Sequence, residues 1–260
     1  MQRRIPCTVM RGGTSRALFF RREDLPDDIA SQDRILLAAL GNPDPFNRLV
    51  DGLGGPISST SKVAIINKRH GEPNTVDYAF GQGSPANALI DRGGNCGNIS
   101  SAVGPYAVDE GLVEVREPET IVRVYNTNTK KYIIEHVLVE GGKAKVEGDY
   151  QIAGVPGTGA IVALDFESPG GTRTGKLLPT GHAQETLDTE SGPIAVSIVD
   201  AANPFVFVRA RDLGLIGTEL PKEVDSNREL SARLESIRAA ATVKMGLARD
   251  CAEGSNDCRH

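Results

Sequence analysis

Short alternations of apolar and polar positions run through most of the chain. IPCTVM (5–10) and RALFF (16–20) flank a Gly12-Gly13 turn, and SKVAIINK (61–68) and TVDYAFG (75–81) flank a polar turn at Pro73 and Asn74. IVRVYNTNTKKYIIEHVLVE (121–140) reads as a hairpin turning near Asn126 to Thr129. The same period continues in AKVEGDYQI (144–152), GAIVALDF (159–166), GPIAVSIVD (192–200) and PFVFVRA (204–210). Helical spacing occurs in three places: DRILLAAL (33–40), ISSAVGPYAVDEG (99–111) and SNRELSARLESIRAAATVKMGLA (226–248). In the last of these Leu230, Leu234, Ile237 and Ala241 share one face, with Ser226 or Asn227 as cap, so it is expected as an outer amphipathic helix. ISSAVGPYAV is small and apolar nearly all round, which predicts a helix enclosed by sheet, kinked or cut short at Pro105. The fold class is therefore α+β and β-rich. GVPGTG (154–159) and SPGGTRTGK (168–176) are the candidate boundaries, and the division is placed at 155/156, giving domains 1–155 and 156–260.

Composition narrows the function classes. With 260 residues, 39% hydrophobic and 24% charged, the chain can bury a sizeable core. A net charge of −5 and the lack of any long Lys/Arg run argue against a nucleic-acid partner. Residues 1–30 contain no apolar signal-peptide stretch, and no run approaches the about 18 apolar residues of a membrane span, so a cytoplasmic protein without a membrane partner is expected. Cys7, Cys96, Cys251 and Cys258 show no CxxC spacing, which predicts free thiols and no metal site.

The chemistry gathers around DRGGNCGNIS (91–100). Cys96 stands just before the predicted enclosed helix, whose unpaired N–H groups favour a thiolate there. Gly93, Gly94 and Gly97 let backbone amides approach an anion. Two more stretches run from a glycine pair into hydroxyl residues: MRGGTSRA (10–17) and DGLGGPISSTSKVAII (51–66). The second delivers Lys62 at the start of an apolar strand, where partial burial would lower its proton affinity and let the amine act as a base. GGTRTGK (170–176) satisfies a P-loop spacing, but Leu177 replaces the Ser/Thr and Pro179 blocks the following helix, so nucleotide binding is rejected.

MRGGTS, DGLGGPISSTSKVAI and GGNCGN, in this order and spacing, resemble the PrpF family of cofactor-independent isomerases. LLPTG (177–181), DAANPFVFVRARDLG (200–214) and LESIRAAATVKMGL (234–247) fit it too, so the resemblance covers residues 5 to 248. It implies the diaminopimelate-epimerase-like fold, two domains each with a β-barrel-like sheet around a central helix. It also implies a double-bond shift in an unsaturated di- or tricarboxylate such as 2-methylaconitate, methylitaconate or 4-oxalomesaconate. On this resemblance the catalytic residues are Lys62, Cys96 and Ser15. Gly13, Thr14, Ser61, Asn95, Gly97, Asn98 and Thr180 are expected to bind substrate. No cofactor and no metal is implied, the partner is a small carboxylate, and a homo-oligomer is compatible with the reading. Three departures stand out: Arg16 where the family commonly has lysine, His182 where asparagine usually follows LLPTG, and a chain that ends before its relatives do, so that the second domain is expected to be incomplete. Two rivals stay open: a catalytically impaired carboxylate-binding homologue, and a two-cysteine epimerase or racemase of the same fold.

Overall fold

The computed structural model describes residues 3–256. Its contacts divide the chain into two compact units, Met1–Ser168 and Pro169–His260. The division falls in SPGGTRTGK and not at 155/156. The physical reason is β9 (Val162–Phe166), which pairs with β7 (Lys131–Glu140) from Ile133 to Val137 and so belongs to the first sheet.

In the first unit β1 (Thr8–Gly12), β2 (Ser15–Arg21), β3 (Lys62–Lys68), β4 (Thr75–Gly83), β6 (Glu119–Asn126), β7 and β8 (Lys143–Ala144) follow one another across a nine-stranded sheet. β5 (Ile90–Asp91) pairs with β4, and β9 with β7. The β2–β3 and β4–β6 pairs are parallel and the remainder antiparallel. Inside the sheet lies the enclosed helix that the small apolar residues of 99–111 predict. Val103, Tyr106, Ala107 and Val108 are buried against Phe19, Ala64, Ile66, Val76, Val124 and Ile133, residues drawn from β2, β3, β4, β6 and β7. β2 and β3 are buried on both faces. Their other side, Leu18, Phe20, Val63 and Ile65, packs on Leu36 and Leu40 of α1 (Ile29–Leu40). That helix starts four residues before the predicted DRILLAAL because Asp28 caps it, accepting from the Ser31 N–H at 2.7 Å.

The enclosed segment is two short helices, α2 (Gly97–Ser100) and α3 (Val103–Asp109). The break precedes Pro105. A proline ring collides with the carbonyl four residues earlier, here Ser101, so no continuous helix can run through both. Pro105 itself sits in the first turn of α3, where a missing N–H costs nothing. The Gly104 N–H in that turn donates to Glu135 Oε2 at 2.7 Å. Glu135 is fully buried in the core. Burial pushes its carboxyl well above the ordinary 4.5, with the Gly104 N–H opposing. A raised carboxyl stabilises the fold fully below 4.5, and that contribution is lost as the pH climbs toward the folded value. Glu135→Gln, which is neutral at every pH, is expected to flatten this decline, a slope of at most about 1.4 kcal/mol per pH unit. Urea midpoints followed by circular dichroism between about pH 5 and pH 8 read it, and an unchanged slope would show that Glu135 is ionised in the fold.

AKVEGDYQI is not the strand its alternation predicts. Only Lys143–Ala144 pairs, and Tyr150 makes an isolated bridge to Gly159.

The second unit is a three-stranded antiparallel sheet, β10 (Glu185–Thr189), β11 (Gly192–Ala201) and β12 (Asn203–Val208), with helices α4 (Pro221–Ser226), α5 (Arg228–Lys244) and α6 (Cys251–Asn256). Leu187, Ile194, Val196 and Ile198 pack on Ile237 and Ala241 of α5. The predicted 226–248 helix is therefore α5 alone. It is separated from α4 at Asn227, whose side chain accepts from the Leu230 N–H at 3.0 Å. This unit is thus a three-stranded sheet with a helix packed on one face. The GGTRTGK loop closes on Asp200, which is fully buried. The Thr172 and Thr174 hydroxyls donate to it at 2.6 and 2.9 Å, and the Arg173 and Thr174 N–H groups at 2.8 Å each. Burial works to raise this carboxyl, but the donors from Thr172, Thr174 and Arg173 outweigh it and hold the group below its ordinary range. Loop amides that a phosphate would need are thus spent on a carboxylate of the chain itself. Among the described residues no helix is long and apolar enough to cross a membrane.

Candidate active site

Two glycine turns and a strand end meet in the first unit. The hairpin between β1 and β2 turns through Gly13 and Thr14, with Gly12 opposite Ser15. Gly13 has φ +50°, a region that favours glycine. Its neighbour across the turn is Asn98 of α2: the Thr14 N–H donates to Asn98 Oδ1 at 3.3 Å, and Asn98 Nδ2 donates to Thr14 Oγ1 at 3.1 Å. A Cβ on Gly12 would overlap the Asn98 carbonyl oxygen and lie 3.0 Å from Ile99 Cα. The first motif's glycine pair is therefore what lets the hairpin rest directly on α2.

Gly97 is different. Its φ is not in the left-handed region, and a Cβ there would meet only Phe166 Cζ at 3.8 Å. Nothing in the fold demands a glycine at this exposed position.

Cys96 is the N-cap of α2. Its carbonyl accepts from the Ser100 N–H at 2.9 Å and from Ser100 Oγ at 3.1 Å, while its side chain takes no part in capping. α2 is a single turn, so the macrodipole expected to favour a thiolate is small. The partner that matters is Lys62. This lysine opens β3 and is buried, with Nζ donating to Gln82 Oε1 and lying 5.3 Å from the centre of the Phe80 ring. Burial pushes its proton affinity below the ordinary 10.5, while the charge of Cys96 and a hydrogen bond to it pull the other way. Lys62 is thus a desolvated amine with an ionisable thiol as neighbour.

The other predicted residues fall into three positions. Thr14, Gly97 and Asn98 are exposed, while Gly13 and Asn95 are half-buried. Ser15 is buried at the start of β2. Asn95 Oδ1 accepts from Ser100 Oγ at 3.2 Å and from Asn126 Nδ2 at 2.8 Å, which anchors the loop before Cys96 on the end of β6. The remaining two predicted contacts, Ser61 and Thr180, lie in different units. Ser61 is fully buried, and its hydroxyl accepts from Asn42 Nδ2 at 2.7 Å. Thr180 lies in the second unit, where its hydroxyl donates to Glu185. Of the thiols that a two-cysteine mechanism would need, Cys7 is exposed beside α1, in a groove lined by Arg3, Phe20 and Arg34, and Cys251 is exposed in the second unit. Cys258 lies outside the described residues.

Several contributors escaped the sequence reading. Gln82 holds the lysine. Asn128 ties the Cys96 loop to β4: it accepts from the Phe80 N–H at 2.9 Å and donates to the Phe80 and Arg92 carbonyls at 2.8 and 2.6 Å. The NTNT stretch carried that signal but read only as a turn. Arg16, noted as a departure, donates to the carbonyls of Leu53 and Gly54 at 3.3 and 3.1 Å and so binds the second glycine loop to the first hairpin.

Known proteins sharpen this picture. A family profile described as "PrpF protein" matches residues 2–259. The chain is 48% identical over 254 residues to the 3-methylitaconate isomerase of Eubacterium barkeri, covering 98% of this chain and 66% of that protein. It is 36% identical over 267 residues to the 2-methyl-aconitate isomerase of Shewanella oneidensis, covering 98% and 67%. A solved methylitaconate-delta-isomerase superposes with a TM-score of 0.75 at 48% identity, covering 96% of this chain and 64% of that one. The chain thus spans about two thirds of the length of the relatives it matches.

Proposed function

The chain belongs to the PrpF family, and on that premise we propose that it is a cytoplasmic isomerase that shifts a proton across an allylic unit of an unsaturated di- or tricarboxylate without a cofactor. The observation that carries this reading is the buried Lys62 amine with Cys96 as its ionisable neighbour, beside the contact of Gly13 and Thr14 with Asn98. The names of the relatives, isomerases of 3-methylitaconate and 2-methyl-aconitate, support the substrate class.

The chemistry follows from the groups. Lys62 as neutral amine takes a proton from the carbon allylic to the C=C. The electron pair left behind spreads over the allylic system into the conjugated carboxylate, and a proton delivered at the far carbon completes the shift, so atoms and charge balance with no redox step. The difficulty is charge building on a substrate already anionic. Backbone N–H groups at the Gly12-Gly13 turn and at Gly97-Asn98 are the preorganised donors for it, and Ser15 with Thr14 holds a carboxylate. Cys96 is the second acid/base: its thiol gives the proton to the far carbon, and the thiolate so formed takes up the proton that Lys62 acquired.

Incubation with methylitaconate in D2O tests this. Deuterium is expected at the allylic carbon, read by proton NMR, with no added cofactor or metal. A sample that is folded by circular dichroism, binds the acid and yet exchanges nothing would instead make the chain a carboxylate-binding homologue.

A further inference from the structure

Lys62 and Gln82 stand directly opposite each other in the β3–β4 register. Gln82 is 9% exposed, and both ends of its amide are engaged. Nε2 donates to the carbonyls of Ser61 at 2.8 Å and of Ser58 and Gly83 at 3.1 Å each. Turning the amide over would set Oε1 against those three carbonyl oxygens, none of which can donate. The oxygen is therefore held toward Lys62 Nζ, to which it is hydrogen-bonded.

An amide oxygen accepts a hydrogen bond but carries no net charge, so it aims the amine without neutralising it. On its other side Gln82 pairs in register with Asp91 of β5, whose Oδ1 accepts from the Gly93 N–H at 2.7 Å. Gln82 thus stands between the amine strand and a carboxylate-bearing position. Groups close to Lys62 include the neutral Gln82, the Phe80 ring and the ionisable Cys96.

We infer that Gln82 is a positioning residue of the proton-transfer pair: it aims Lys62 Nζ while withholding the counter-ion that a carboxylate at the same place would supply. The inference rests on the proposed roles of Lys62 and Cys96. The lowered proton affinity of Lys62 agrees with it.

The test is a pH titration of Lys62 by NMR in protein labelled with 13C at the lysine Cε, assigned with Lys62→Arg. Gln82→Glu, isosteric but charged, is expected to raise the Lys62 midpoint by about 1 to 3 pH units, the usual effect of an opposite charge at contact distance. The acid limb of the exchange rate should move up by the same amount, a parallel shift that a merely structural role would not produce. An unmoved midpoint in folded Gln82→Glu overturns the inference. Should that variant not fold, Cys96→Ser in the native background decides: the Lys62 midpoint should fall, and an unchanged midpoint means that another charge faces the amine. The titration needs no turnover. A midpoint that shifts in protein without isomerase activity sinks only the proposed function, and active protein with an unmoved midpoint sinks only this role of Gln82.

Discussion

Lys62→Ala is expected to lower allylic deuterium exchange by about 10²- to 10⁴-fold, the usual contribution of a positioned acid or base. The variant should remain folded. Deleting the amine removes a group that is costly to bury and leaves Gln82 still anchored through Nε2 on three carbonyls. In the native protein the rate should rise with pH as Lys62 loses its proton, with a midpoint below 10.5 because burial disfavours the charged amine. Removing the lysine should remove that limb together with the rate. Stopped-time NMR on folded Lys62→Ala checks both, and a variant that keeps native exchange would take the lysine out of the mechanism.

The second large effect separates two kinds of glycine. Gly12→Ala is expected to destabilise the first unit by about 1–3 kcal/mol, the range for forcing an extra methyl into packed structure. Its Cβ would strike the Asn98 carbonyl and crowd Ile99 Cα, both backbone, so no rotamer change relieves it. The hairpin must lift off α2, and exchange should fall with stability. Gly97→Ala is expected to do the opposite. The site is open, and an alanine in the first turn of a helix is favoured over glycine by about 0.5–1 kcal/mol, so the fold should hold or gain while substrate affinity drops. Urea midpoints and substrate titrations on the two variants read this crossing. Equal losses of stability would mean that both glycines serve the fold alone.

The contrast between these glycines shows how far the chain could be read. MRGGTS and GGNCGN were visible as glycine-rich stretches, but from letters alone Gly12 and Gly97 are equivalent. They part only when α2 is laid against the β1–β2 turn, because a clash depends on atoms 86 residues apart. Lys62 and Cys96 were legible because each sits in a local motif. Gln82 was not, since it lies in an ordinary alternating strand and its importance comes from standing opposite Lys62. The surroundings of Ser61 are equally invisible in its motif: Asn42 and the β4 end bury it fully. GVPGTG resembles a linker, but the pairing of β9 with β7 ties the residues after it into the first sheet, so the division lies at Ser168/Pro169.

The sequence by itself determined what depends on neighbours along the chain: period-two strands, a small-residue helix that had to be enclosed, the proline that divides it, the glycine turns, and the thiol and amine within them. Pairing across the sheet was decided only by the tertiary structure. It placed a neutral amide rather than a carboxylate against Lys62, closed the GGTRTGK loop on Asp200, and set the lysine's charge against Cys96. Proton affinity and anion binding follow from desolvation and from the charges that face a group, and those are properties of packed surroundings, which no local stretch of sequence contains.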